Sequence, residues 1–197
     1  MVKVKTIFVT ALVCLLPIIL GVALWDRLPD SIAIHFELNG NADGFAQKGF
    51  VFFVLPALMA VVQVFLCIAN NLKNQNKISP VTVWIIPILT VVLYTMTMLI
   101  ALGYGVDTRR VCMVIVGIVM MVIGASVRKL DWVKNRDCHK ETALKINRLS
   151  GNLMIFSGVA FVASIFFPPI ASVICLGILA ICGVIVSAYS AKVSKGM

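Results

Sequence analysis

The chain contains six long stretches without any Asp, Glu, Lys or Arg, and these stretches restrict its fold more than any other feature. An α-helix rises about 1.5 Å per residue, so about 20 apolar residues are needed to cross a hydrocarbon layer of about 30 Å. A helix can cross because it satisfies its own backbone hydrogen bonds, which lipid cannot do. The six stretches are Thr6–Trp25, Gly49–Asn70, Val81–Gly103, Val111–Val127, Ser150–Phe167 and Pro169–Ser190.

The composition agrees with this interpretation, because 61% of the 197 residues are hydrophobic and only 13% are charged. So little polar surface excludes an ordinary soluble enzyme, a disordered tail and a nucleic-acid-binding domain. The predicted fold class is an all-α integral membrane protein, a bundle of six transmembrane helices with a small extracellular loop cap. Two regions are expected. Residues 1–70 form a first helical hairpin around the loop 26–48, and residues 71–197 form a four-helix region with a basic cytoplasmic loop at 128–149.

The distribution of Lys and Arg predicts the orientation of the chain. Segments 1–5, 71–80, 128–149 and 191–197 hold thirteen of the 17 basic residues, and the alternate loops hold the other four. Cytoplasmic loops carry the excess of basic residues, so both termini are expected in the cytoplasm of a multipass protein of the bacterial cell membrane. The net charge of +9 is then concentrated on the inner side, where it suits anionic lipid headgroups rather than direct contact with nucleic acid.

The predicted spans contain few residues that could carry out catalysis or ion-coupled transport. Ion-coupled transporters usually place an ionisable side chain within the bilayer, and these spans contain no charged residue or His. The chain has no P-loop, GxGxxG or CxxC motif, and no span supplies the residues that intramembrane proteolysis needs. The sequence therefore predicts no enzyme, no catalytic residue, no resident metal and no cofactor.

A polar stripe on the third span keeps one alternative function open. Thr90, Tyr94 and Thr97 lie at i, i+4 and i+7 and therefore on one helix face, and Gln63 lies in the second span. These residues would line a hydrated path if the protein were a small-solute transporter or a channel-like protein. They are otherwise expected to make hydrogen bonds between helices.

Glycines recur at seven-residue spacing in the fourth and fifth spans. Gly117 and Gly124 lie on one helix, and Gly151 and Gly158 lie on the next. Small residues on one helix face allow two backbones to approach closely, so these four glycines are predicted to form packing edges.

The loop 26–48 has the features of a small folded structure. Apolar residues at 32, 34 and 36 alternate with Ala33 and His35, which indicates a short extended stretch lying on the membrane surface. Asn39-Gly40 and Asp43-Gly44 are typical turn pairs, because Gly accepts the positive φ that such turns require.

His35 is the residue of this loop with the widest chemical repertoire. With Asp30, Glu37 or Asp43 it is a candidate metal ligand or proton-responsive group. No second His lies near it in the sequence, so the other interpretation is a His that hydrogen-bonds to the backbone of a turn.

The inner loop 128–149 is strongly basic. Glu141 and Lys145 form an i, i+4 pair on a predicted surface helix, and the adjacent Asp137, Cys138 and His139 are interpreted as a solvated face rather than a metal site. The candidate contacts to lipid or to a cytoplasmic partner are Lys129, Lys134, Arg136, Lys145 and Arg148.

One pattern in the first loop resembles a known family. It reads Leu28-Pro29-Asp30-x-Ile32-x-x-His35-Phe36, a spacer, Gly40-x-Ala42-Asp43-Gly44 and then Lys48. This is similar to the LPDxIPxHF, GxADG and Lys pattern of the SdpI-type bacterial membrane proteins, with Ala33 in place of the usual Pro. The second half of the chain agrees less well. Glu141, Arg148 and Gly151 match the family's ExxWxxTHRxxG, whereas Leu144 and Asn147 replace its Trp and His.

The resemblance implies a multipass immunity protein that protects its producer against a secreted peptide toxin. In the best-known system of this family, the toxin-bound immunity protein also holds a cytoplasmic repressor at the membrane. The residues expected to contact an extracellular peptide are Asp30, His35, Phe36, Asp43 and Lys48. The expected partners are the lipid bilayer, that peptide toxin and a cytoplasmic repressor.

Overall fold

The computed structural model describes residues 2–37, 39–72, 80–128 and 140–195, and it is dominated by helices. Two strands, β1 and β2, form the small sheet found in the described part of the chain. The helices and strands are α1 (Val4–Ala23), β1 (Ser31–Phe36), β2 (Ala42–Gln47), α2 (Leu55–Leu72), α3 (Pro80–Val83), α4 (Ile85–Ala101), α5 (Thr108–Val127), α6 (Lys140–Ala163) and α7 (Pro169–Lys195). A π-helical turn, Phe50–Val54, leads into α2, and 3₁₀ turns cover Trp25–Arg27 and Ser164–Phe166.

Six helical segments of the described chain are long and apolar enough to cross a membrane, which confirms the predicted fold class. Their bounds are Val4–Ala23, Phe50–Asn71, Val81–Ala101, Thr108–Val127, Leu144–Phe166 and Pro169–Ala188. Each overlaps one of the six uncharged stretches, since a run of about 20 apolar residues specifies both the helix and its length.

The start of the fifth span differs from the prediction. A separate surface helix was expected before a span that begins at Ser150, but α6 runs without interruption from Lys140 to Ala163. No Pro or Gly interrupts the chain before Gly151, and Ser150 bonds back to the carbonyl of Ile146 within the same helix. The side chain of Glu141 lies outside the described residues, so its pairing with Lys145 stays a prediction.

The chain forms two compact units, Met1–Val111 and Cys112–Met197. The first unit contains the hairpin strands and the first three spans, with α1 packed on both α2 and α4. The predicted division after residue 70 stays a prediction.

Helix α1 fits closely against the π-helical turn of the second span. The side chain of Phe52 is fully buried, and a Cβ placed on Gly21 would lie 2.8 Å from the Cβ of Phe52. At the opposite end of the helix pair, the Asn71 side chain accepts a hydrogen bond from the Val2 amide (2.7 Å) and donates one to the Val2 carbonyl (3.1 Å). The two helices are therefore joined at both ends.

In the second unit, α5 and α6 approach each other at the four glycines. A Cβ on Gly117 would lie 2.6 Å from the carbonyl oxygen of Gly158, and one on Gly124 would lie 2.7 Å from that of Gly151. The two glycine pairs face each other across antiparallel helices, which confirms their predicted packing role. Helix α7 begins at Pro169, the first helical position, where the missing amide hydrogen of Pro costs no helical hydrogen bond.

Candidate functional site

The loop between the first two spans folds into an antiparallel β-hairpin. Ser31 pairs with Gln47 at its base, and Phe36 pairs with Ala42 near its turn, with irregularities on both sides of His35. In the turn, the Gly40 amide bonds to the Glu37 carbonyl, and Gly40 adopts a φ of 91°. The predicted turn at Asn39-Gly40 is confirmed.

The turn predicted at Asp43-Gly44 is wrong, because both residues lie within β2. Gly44 pairs with His35 across the hairpin, and a Cβ on Gly44 would lie 2.7 Å from the Cβ of His35. Glycine is needed here for close approach of the two strands rather than for a positive φ.

One face of the hairpin covers the ends of the helices, and we call it the proximal face (Ile32 and Ala46). Ile32 is 1% exposed and belongs to an apolar cluster with Leu28, Val51, Phe52 and Met98. Partly buried residues packed against this cluster are Leu24, Ala46, Tyr94, Ala101 and Leu102. Most of these residues lie at the end of α1, the start of the second span or the end of α4, so the hairpin caps all three spans. The predicted extended stretch is therefore a paired strand with one buried face.

Pairing predicts which residues lie on the other face of the hairpin. Ala33 pairs with Phe45, next to the buried pair Ile32 and Ala46. Because successive side chains of a strand alternate, Ala33 and Phe45 lie on the opposite, distal face. Phe45 is 59% exposed, which agrees with that placement.

His35 and Asp43 form a pair near the turn end of the hairpin. The Asp43 carboxylate accepts a hydrogen bond from Nδ1 of His35, with Nδ1 to Oδ1 2.5 Å. The His35 side chain is 71% exposed and that of Asp43 is 38% exposed. The pair is therefore accessible to a ligand without any opening of the structure.

Lys48 and Asp30 form a second pair at the base of the hairpin. Their side chains meet with Nζ to Oδ1 2.9 Å, and the Lys48 amide bonds to the Asp30 carbonyl. The Lys48 ammonium also lies 4.7 Å from the centre of the Trp25 ring, which packs on Phe53. This cluster closes the loop where the two spans meet, a structural use of two residues that were predicted to contact a ligand.

Four of the five predicted ligand-contacting residues thus form two pairs, and Phe36 belongs to neither. His35 and Asp43 come together near the turn, Asp30 and Lys48 come together at the base, and Phe36 is half-buried opposite Ala42.

Sequence reasoning had missed Phe45 and Trp25. The strand alternation of β2 was the available signal for Phe45, and it was obscured by the interpretation of Asp43-Gly44 as a turn.

The basic inner loop is only partly described. Lys129, Lys134 and Arg136 lie outside the described residues, as do Asp137, Cys138 and His139. Lys145 and Arg148 are exposed on α6.

No part of the described chain brings together three His, Cys, Asp or Glu side chains that could hold a metal ion. Among the described residues, His35 is therefore seen with one carboxylate and not within a larger ligand set.

The polar residues of the spans bond within the protein. Thr90 is buried and donates its hydroxyl hydrogen bond to the carbonyl of Ile86. Gln63 is 2% exposed and donates to the carbonyl of Val83, and Tyr94 packs against the apolar cluster under the hairpin. These contacts are the interhelical and intrahelical bonding expected of polar groups in a helical membrane protein.

A family model described as a domain of unknown function (DUF1648) matches residues 12–60, which include most of α1, the whole hairpin and the start of α2. No curated protein and no solved structure matches the chain.

Proposed function

We propose that this chain is an SdpI-type immunity protein of the bacterial cell membrane, which binds a secreted antimicrobial peptide at its extracellular face. The observation that carries the proposal is the coincidence of the signature with the hairpin. The residues that match the family pattern lie at the base of the hairpin, at its turn and at Gly44, where the two strands approach closely. The pattern therefore coincides with one folded element, which argues against a chance similarity. The family match over residues 12–60 covers the same element.

The orientation in this proposal rests on the Lys and Arg distribution. The hairpin joins the first two spans on the side with few basic residues, and that side is expected to face the exterior. Both termini are then cytoplasmic.

The His35–Asp43 pair supports the assignment of the hairpin as the binding element. Exposed polar residues on a loop held by a rigid scaffold are the usual location of a binding function. The hairpin is held by a buried apolar cluster and by the Lys48–Asp30 pair, so its exposed groups have fixed positions.

The inner surface is assigned to anionic lipid or to a cytoplasmic repressor. Lys145 and Arg148 are exposed on α6, directly after the basic segment of the sequence. In this proposal the protein binds and signals, and it has no catalytic reaction.

The transporter alternative lacks a supporting observation. Thr90 and Gln63, two polar groups of the proposed path, hydrogen-bond to backbone carbonyls within the first unit.

The test is a gene deletion in the organism that encodes the chain. The deletion strain is exposed to the concentrated peptide fraction of the parent culture medium, and survival is compared with that of strains complemented with the wild type, His35→Ala or Asp43→Ala. We expect the deletion to sensitise the cells, the wild type to restore survival, and both variants to restore it less well. Equal killing of the deletion and complemented strains would contradict the immunity function.

A further inference from the structure

The distal face of the hairpin (Ala33 and Phe45, with His35 and Asp43 at its turn end) combines an exposed aromatic side chain with negative charge. The proximal face covers the ends of three spans, so the distal face points away from those helix ends. Phe45 is 59% exposed there. An aromatic side chain in this position is available as an apolar anchor for a partner that also complements the charge of the face.

The hairpin strands and turn contain carboxylates but no basic residue of their own, and the backbone of Arg109 lies beside the turn, 3.9 Å from a Cβ placed on Gly40. Residues 31–47 contain two carboxylates, Glu37 and Asp43, and no Lys or Arg. The nearest basic side chain at the base, Lys48, is already paired with Asp30. Asp43 uses Oδ1 to bond His35, and Glu37 accepts from Asn39, so neither carboxylate has a cationic Lys or Arg partner among the contacts described for the hairpin.

We propose that the distal face binds a cationic peptide segment, with an apolar side chain of the peptide on Phe45 and a Lys or Arg of the peptide at Asp43 or Glu37. The proposal rests on the proposed function for its biological role and specifies the chemistry of the ligand at the same site. In this proposal Asp30 and Lys48 do not contact the peptide, because they hold the base of the hairpin together.

The same observations argue against two other occupants. Lipid is disfavoured because the distal face points away from the helix ends, and an acidic surface repels the anionic headgroups that attract basic proteins. A second copy of the chain is disfavoured because two identical acidic faces would repel each other.

The experiment uses the full-length protein in nanodiscs of zwitterionic phosphatidylcholine, with empty nanodiscs as the lipid control. The probes are three fluorescent peptides, one of alternating Lys and Phe, one of alternating Glu and Phe, and one of alternating Lys and Ser. Binding is measured by fluorescence anisotropy at low and high NaCl. The variants are Phe45→Ser, Asp43→Asn and, as a matched control, Asp26→Asn, because Asp26 is an exposed carboxylate outside the hairpin strands.

We expect the Lys-Phe peptide to bind the protein more tightly than it binds empty nanodiscs and more tightly than the other two peptides bind the protein. Phe45→Ser should weaken binding at least about fivefold, as for an aromatic anchor of an interface. Asp43→Asn should weaken it about two- to fivefold, as for an exposed charge pair, and added salt should weaken it further. Asp26→Asn should have no effect, and thermal unfolding should show that all three variants remain folded.

Three results would overturn the inference. These are equal binding of the Lys-Phe and Glu-Phe peptides, equal binding to empty nanodiscs, or self-association that Phe45→Ser abolishes. The immunity function would survive any of them if the complemented deletion strain is still protected. Conversely, peptide binding without protection would contradict the immunity function alone.

Discussion

The side-chain amide of Gln63 donates a hydrogen bond to the carbonyl oxygen of Val83, with nitrogen to oxygen 2.9 Å. That carbonyl would normally accept from the amide of residue 87 one helical turn later, but residue 87 is Pro and has no amide hydrogen. A side chain on the second span thus satisfies a backbone group that the third span leaves free, which is how membrane helices tolerate Pro.

Replacing Gln63 with Leu should destabilise the first unit. A buried carbonyl without a partner costs about 1–3 kcal/mol, and measured values within membranes lie at the low end. The measurement is the free energy of unfolding in detergent. In a double-mutant cycle, Pro87→Ala restores the missing amide, so Gln63→Leu should cost less in that background. An unchanged cost would show that the hydrogen bond to Val83 does not stabilise the structure.

Gly44→Ala should loosen the hairpin, because the new Cβ would lie 2.7 Å from the Cβ of His35. We expect faster hydrogen exchange of the β1 and β2 amides and a loss of stability of about 1–3 kcal/mol, typical of overpacking. Gly105→Ala is the matched control, since a Cβ there meets nothing within 4 Å. His35→Ala keeps its Cβ and should not rescue Gly44→Ala, whereas His35→Gly should. Rescue by His35→Ala would contradict the backbone-approach explanation.

Gly117→Ala and Gly158→Ala should each separate α5 from α6. The added Cβ of each would lie 2.6 Å or less from the carbonyl oxygen of the other glycine, and backbone cannot yield as a side chain can. A loss of about 1–3 kcal/mol in unfolding free energy is expected. Gly177→Ala and Gly183→Ala are the controls, because their added Cβ atoms meet nothing within 4 Å. Equal effects at all four positions would indicate a general consequence of losing glycine.

Lys48→Met should disturb the base of the hairpin more than Asp30→Asn. The Lys48 side chain is 20% exposed and contacts both Asp30 and Trp25, whereas the Asp30 side chain is 95% exposed. Loss of the cation–π contact is expected to cost about 0.5–2 kcal/mol. The emission of Trp25, measured with Trp84 and Trp132 replaced by Phe, should shift in Lys48→Met and stay close to wild type in Lys48→Arg. A wild-type spectrum for Lys48→Met would contradict the contact.

The sequence was sufficient for features that depend on local pattern. The spans followed from uncharged length, the turn at Gly40 from its dipeptide, and the packing edges of α5 and α6 from glycine spacing, although not the fact that these two edges meet. Features that depend on tertiary contact were not predictable. Gly44 resembled a turn residue because its real constraint, the Cβ of His35, lies on the other strand. For Gln63 the sequence predicted a hydrogen bond between helices, but its partner, the carbonyl of Val83, could be identified only from the structure. The sequence alone could not show that His35 and Asp43 lie near the turn while Asp30 and Lys48 lie at the base, because this depends on the strand register.

The sidedness of the hairpin is the premise on which peptide binding depends, and cysteine labelling tests it most directly. In a background without native cysteines, Asn41→Cys places a thiol at an exposed position beside the hairpin turn, and Lys5→Cys places one at the opposite end of α1. Both are treated in intact cells with a membrane-impermeant maleimide. If the hairpin faces the exterior, Asn41→Cys is labelled in intact cells and Lys5→Cys only after permeabilisation. Labelling of Lys5→Cys alone in intact cells would contradict that orientation.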